Sequence, residues 1–123
     1  MLIGTPRRIL VAKEPVDFRK SIDGLAAICE VHLGETPLDG TLFVFVNRRR
    51  TATKMLVWTH GGFTMLYKRL ERGRFRWPPM TSDRVEVSTA VLAALLEGID
   101  LSRSRRLSRW NPGSRCASAQ DPG

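Results

Sequence analysis

From Arg48 to Arg76 the chain places nine cations, Arg48, Arg49, Arg50, Lys54, Lys68, Arg69, Arg72, Arg74 and Arg76, against a single acid, Glu71. Five aromatic rings, Trp58, Phe63, Tyr67, Phe75 and Trp77, lie among them or just beyond. Arg and Lys neutralise backbone phosphates, and flat rings stack on unpaired bases, so both ingredients of a nucleic-acid surface are present. All nine cations are candidate contacts for nucleic acid. The rings themselves read as core, with the cations on the outward half of a strand's alternation. The Arg48–Arg50 triplet is different, because it falls between two apolar runs at a hairpin tip, and a loop tip cannot be core.

Where the charge sits says more than its total. The net charge is +8 over 123 residues. Residues 48–76 alone sum to +8, residues 102–123 add five Arg against Asp121 for +4, and the remainder is −4. Sixteen of the 20 cations are Arg, whose planar fork suits phosphate better than the point charge of Lys. A polyanionic partner fits this concentration. A solubilising face is the alternative, although dispersed Lys and Glu would serve solubility as well.

Other chemistries find little support. A metal nuclease or strand-transfer enzyme needs several carboxylates converging on divalent ions. Asp17, Asp23, Glu30, Asp39, Glu71 and Asp100 are available, but a helix cap, helix-surface positions, a turn and charge partners account for them. His32 falls at a helix end and His60 beside a Gly-Gly turn, where an exposed or satisfied imidazole is the ordinary outcome. The sequence contains no GxSxG elbow and no GxGxxG or GK[ST] phosphate loop. Cys29 and Cys116 have no ligand-like spacing. No catalytic residue, metal, cofactor or small-molecule substrate is expected. No apolar run approaches the 18 or so residues that span a bilayer, and the N-terminal stretch has no signal-peptide core, so a cytoplasmic protein with no membrane partner is expected.

One core must position this basic segment, because a chain of this length has room for a single domain and a tail. Arg8–Ala12 reads as a short first strand, at or near an edge and stopped by Pro15. Phe18, Ile22, Leu25 and Cys29 recur at helical spacing, giving a helix over about 18–33 with Asp17 as N-cap and Gly34 as its stop. Gly24 inside it suggests close packing against another backbone. After the Pro37–Gly40 turn, Leu42–Val46 is wholly apolar and predicts a central strand covered on both faces, the most buried segment of the chain. Lys54–Thr59 returns as its hairpin partner, with Asn47–Thr53 as the basic loop. Phe63–Tyr67 alternates as a third strand, and Arg74–Trp77 closes the meander before Pro78 and Pro79. Arg84–Val87 is a last short strand, and Ser88 caps a helix with the stripe Val91, Leu92, Leu95, Leu96 and Ile99, ended by Gly98. The fold class is α+β, a mainly antiparallel sheet (β-meander) with one helix in the first third and one near residue 90. Residues 1–101 form the domain; 102–123, rich in Arg, Ser, Pro and Gly, form a basic tail expected to be disordered.

The strings GTLFVFVNRRRTATKMLVW, GGFTMLYKRLERGRFRWP and LLEGID, with PVDFRKSIDGLAAI upstream, carry a family likeness. Over about Val16–Asp100 the chain resembles the TnpB-type accessory protein, the second open reading frame product, of the IS66 family of bacterial insertion sequences. YKRLERGRFRWP is the most specific part. Matching motif positions include Asp17, Arg19, Lys20, Asp23 and Gly24, then Arg48 and Arg49, then Lys68–Trp77. Ser21 stands where Gly is common, and the tail after Arg105 is unlike the family ending. The resemblance implies a role in transposition beside a separate, larger transposase that does the strand chemistry, and brings no catalytic residues with it. Two functions follow as expectations: an accessory protein that binds DNA through the Arg-rich hairpin and the basic strand, or an interaction module that docks on the transposase without touching DNA.

Overall fold

Leu42 to Val46 offers no polar side chain to either face, so a strand made from it must lie under cover on both sides. The computed structural model describes residues 5–98 and contains β1 (Ile9–Ala12), α1 (Ile22–Val31), β2 (Leu42–Val46), β3 (Ala52–Thr59), β4 (Gly62–Arg69), β5 (Arg84–Val87) and α2 (Thr89–Glu97). The five strands form one sheet in the order β4-β3-β2-β1-β5, with β2 at its centre. All five β2 residues are buried, as their composition requires.

β2, β3 and β4 are a true meander, paired antiparallel throughout. β1 departs from that pattern by pairing parallel to β2, with Ile9 opposite Leu42. A parallel neighbour needs a crossover, and α1 supplies it, so the first third of the chain is a β-α-β unit. β5 then adds antiparallel to the far side of β1. β1 therefore lies one strand in from the edge, which β5 occupies. The fold is α+β with three of its four strand pairings antiparallel.

The two faces are covered by different parts of the chain. Leu10, Ala12, Phe43, Phe45 and Leu56 point to one face and pack with Leu25, Cys29 and Leu33 from α1 and its end. Val11, Val44, Val46, Met55 and Val57 point to the other and pack with Leu92 and Leu95 of α2 and with Phe75 and Trp77. Burial on the α1 side pushes the Cys29 thiol up to about 12, so it stays protonated as a small apolar core group.

Several local expectations need correction. The first helix starts at Ile22, not at 18, with Ser21 rather than Asp17 at its N-cap. Asp17 forms an Asx turn instead, Oδ1 accepting from the Arg19 backbone N–H at 2.9 Å while Arg19 also grips the carboxylate with its guanidinium. The helix ends at Val31 with His32 as its C-cap, two residues before the expected end at 33, and Gly34 turns the chain beyond it in a left-handed conformation at φ 65. Gly24 meets no second backbone: a Cβ there would approach the side chain of Lys20 at 3.1 Å. Arg74–Trp77 makes only an isolated bridge at Arg74 and forms no strand of the sheet. It crosses the α2 face instead. Ser88 caps α2 as expected, accepting from the Val91 N–H at 3.2 Å. Ile99 and the tail from 102 lie outside the described residues.

One buried group lacks a partner. Thr53 is fully buried in β3, and its Oγ1 has no hydrogen-bond partner among the described residues. A buried hydroxyl without a partner costs about 1–3 kcal/mol in desolvation, and Val has nearly the same shape without it. Thr53→Val should therefore raise unfolding free energy by about 1 kcal/mol. A lower urea midpoint for the variant would mean that the hydroxyl is bonded after all.

Candidate nucleic-acid interface

Because β1 runs parallel to β2, the C-terminal ends of β1, β2 and β4 and the start of β3 all lie at one end of the sheet. The β2–β3 loop leaves from that end, and Asn47 builds it. Its Oδ1 accepts from the N–H groups of Thr51 and Ala52 at 2.9 and 3.1 Å, its Nδ2 donates to Thr51 Oγ1 at 3.0 Å, and its carbonyl closes a turn by accepting from Arg50 N–H at 3.0 Å. Arg50 is held at φ 61, a left-handed backbone that costs a non-glycine residue about 1–2 kcal/mol. The conformation persists because neighbours fix it from outside. Phe75 N–H donates to the Arg50 carbonyl at 2.7 Å and Leu70 N–H to the Thr51 carbonyl at 2.8 Å.

Those two bonds also bring the segment after β4 against the loop. Leu70 to Phe75 wraps it, and Trp77 continues to the end of β1, where its Nε1 donates to the Ala12 carbonyl at 2.7 Å. Phe75 and Trp77 are buried while Arg74 and Arg76, which alternate with them, are exposed, which is the expected division of rings inward and cations outward. Gly98 shows how tightly this segment is held. A Cβ at that position would stand 2.6 Å from Leu70 Cδ1 and 3.2 Å from the Arg74 carbonyl oxygen, so the end of α2 rests directly on it.

Of the nine cations singled out in the sequence, seven therefore gather at this end: Arg48, Arg49 and Arg50 on the loop, Arg69 at the end of β4, and Arg72, Arg74 and Arg76 beyond it, all exposed. Lys54 and Lys68 do other work. Lys54 faces α1's side of the sheet, where its ammonium donates to the carbonyls of Phe18 and Lys20 at 2.7 and 3.1 Å. Lys68 points to the opposite face and donates to the Leu96 carbonyl at 2.7 Å, near the C-terminus of α2 where a cation is electrostatically favoured.

Among the described residues, arginines outside the 48–76 segment are matched with acids. Glu35 is clamped between Arg8 and Arg84, the latter at 2.8 Å; Arg84 also reaches Asp83 at 3.0 Å, Arg7 reaches Asp39 at 3.6 Å, and Arg19 reaches Asp17 at 2.6 Å. Of the seven gathered arginines only Arg69 has such a partner among the described residues, the exposed Glu71 at 3.4 Å. Arg48, Arg49, Arg50, Arg72, Arg74 and Arg76 make no ion pair among the described residues. The Arg19 guanidinium hydrogen-bonded to Asp17 lowers that carboxyl to about 2. Asp17 lines a cleft of about 350 Å³ with Phe18, Asn47, Arg48 and Arg49, so its charge is already engaged where the loop arginines begin.

Among the described residues no group of three or more His, Cys, Asp or Glu is placed to hold a metal ion, and no helix is long and apolar enough to cross a membrane. His60 sits in the tight β3–β4 turn at the opposite end of the sheet, with φ 47 followed by Gly61 at φ 83, the pairing of a type I′ hairpin. Three features escaped sequence reasoning: Asn47 as builder of the loop, the Glu35 clamp, and the contact of Phe18 with β4. Asn at the end of an apolar strand was a turn signal for the first; the other two depend on long-range placement.

Comparison with known proteins gives a consistent context. The family described as IS66 Orf2 like protein matches residues 7–106, somewhat beyond the span that the sequence motifs suggest. Two proteins of Sinorhizobium fredii are similar along nearly their whole length: uncharacterized protein y4jC, 35% identical over 107 residues covering 85% of this chain and 92% of that one, and uncharacterized protein y4hO, 37% identical over 106 residues covering 85% and 90%. No solved structure matches. The chain thus belongs to the IS66 Orf2-like family, accessory products of an insertion sequence.

Proposed function

We propose that this chain is a non-enzymatic, cytoplasmic accessory protein of transposition that binds DNA directly through the basic end of its sheet, while a separate transposase performs strand cleavage and joining. The observation that carries the reading is the set of six arginines without acid partners among the described residues, three of them on a loop whose backbone is fixed by its own Asn47 and by the segment that follows β4. A loop backbone that is already fixed loses less entropy when its arginines meet phosphate than a mobile loop would, and the arginines without acid partners concentrate positive charge there. Phosphate contacts of this kind give affinity and position rather than base specificity. Titrating the purified full-length protein, without transposase, against fluorescent duplexes from the element's ends and of random sequence tests this in one experiment with Mg²⁺ present. Both duplexes should bind, with affinity falling steeply as salt rises, and neither should be nicked or joined. No retardation at protein concentrations up to about 10 μM in about 50 mM salt would remove direct DNA binding and leave docking on the transposase as the function. Cleavage abolished by an Asp or Glu substitution would overturn the non-enzymatic part.

A further inference from the structure

Four of the five rings near the basic cluster have structural uses. Phe75 and Trp77 are core, and Trp58 and Phe63 pack edge to face with centroids 5.0 Å apart, next to the β3–β4 turn at the far end of the sheet. Tyr67 does not follow them. It lies on the edge strand β4, two residues before Arg69 on the same face, and 57% of its surface is exposed. A ring of that size on a bare strand loses the burial that normally justifies an aromatic residue.

The surroundings of Tyr67 make it a supported platform. Its ring stands 6.2 Å from that of Phe18, tilted by 59°. Phe18 is fixed in turn by Lys54, which lies directly across from Tyr67 in the β3–β4 register; its ammonium bonds the Phe18 carbonyl and sits 5.0 Å from the Phe18 ring centroid. The same Phe18 lines the cleft with Asn47, Arg48 and Arg49. The exposed ring therefore packs on a residue that lines the cleft of the loop arginines, and Arg69 follows it on the same face of β4. Glu71 holds Arg69 only through an exposed pair, worth little and easily exchanged for phosphate.

We infer that the basic end takes single-stranded DNA, an unpaired base stacking on Tyr67 while Arg48, Arg49 and Arg69 hold the flanking phosphates. This rests on the DNA-binding reading and narrows it to the form of DNA. In a duplex both faces of every base are covered by neighbours, so an exposed ring gains nothing from it; in a single strand each base has a free face, and base–aromatic stacking contributes about 1–3 kcal/mol.

The test compares the affinity of the full-length protein for a fluorescent oligothymidylate of about 12 nucleotides, a length in the range of known single-strand sites, and for a duplex of the same length. Tyr67→Ala should weaken single-strand binding about 5- to 150-fold, from the stacking energy above, and leave duplex binding within about twofold. Tyr67→Phe keeps the ring and should bind as wild type does. Abasic oligonucleotide should bind the wild-type protein about as weakly as thymidylate binds Tyr67→Ala. If the alanine variant melts early, Tyr67→Leu keeps apolar packing on Phe18 and should show the same selective loss. An unchanged single-strand affinity, or an equal fall for both forms, overturns the inference while direct DNA binding stands. Failure of the wild type to bind either form overturns both.

Discussion

Replacing Phe45 with alanine is expected to lower the free energy of unfolding by about 3–5 kcal/mol. Phe45 has no exposed surface, and it lies in the central strand on the face covered by α1, in one cluster with Leu25, Cys29 and Leu56. Deleting the ring removes its transfer energy and leaves a cavity between sheet and helix that neither can readily close, because β2 is hydrogen-bonded to β1 and β3 on both sides. Domains of this size have about 5–15 kcal/mol in total, so the change consumes a large share of it. At about 4–8 °C per kcal/mol the melting temperature should fall by 12 °C or more. Val31→Ala, at a position 75% exposed on α1, supplies the contrast and should stay within about 0.5 kcal/mol of wild type. Urea unfolding followed by far-UV circular dichroism and by tryptophan fluorescence measures both. A Phe45→Ala midpoint close to that of Val31→Ala would show that β2 is not the strand around which the core is built.

β2 was legible because its sequence is extreme: five apolar residues admit no solvent-facing side. Its hairpin with β3, the third strand, the α2 cap at Ser88 and the stop at Gly98 were legible for a similar reason, since each rests on local chemistry. Where competing local patterns met, sequence reading failed. Phe18 fits the helical spacing of Ile22 and Leu25, which extends the apparent helix back to Asp17, but the Asp17–Arg19 turn precedes the helix and frees Phe18 to meet Tyr67. The alternation in Arg74–Trp77 correctly separates rings from arginines. Period two, however, reports which side chains turn inward and not whether a neighbouring strand exists, and this segment bonds instead to Arg50 and Ala12. The parallel pairing of β1 with β2 joins parts of the chain about thirty residues apart and leaves no local trace. The candidate site divides in the same way. Charge density identified the basic segment, yet only the register of β3 on β4 tells that Lys54 faces the Phe18 carbonyl and Lys68 the end of α2, so that of the nine cations Arg48, Arg49, Arg50, Arg72, Arg74 and Arg76 are left without an acid partner among the described residues.

Changing Arg48, Arg49 and Arg50 together to alanine should separate binding from folding. None of the three makes an ion pair among the described residues, and the bonds that hold the loop come from the Asn47 side chain and from backbone groups that alanine keeps. Ala tolerates the left-handed backbone at position 50 about as poorly as Arg does, so that strain should be nearly unchanged. Thermal stability should accordingly move little, as expected for exposed charges. DNA affinity should drop for every sequence. Each phosphate contact releases counterions, so losing three should flatten the slope of log affinity against log salt by about 2.7 for duplex DNA. If that contribution vanishes near 1 M salt, the same slope corresponds to a loss on the order of a hundredfold at about 0.15 M. Loss of one or two contacts would give about 0.9 or 1.8, which makes the slope a count of the arginines engaged. Unchanged slope and affinity would take the loop out of the DNA interface. If transposition in cells still failed under that outcome, the triplet would instead mark the surface that meets the transposase, where its charge would seek carboxylates rather than phosphates.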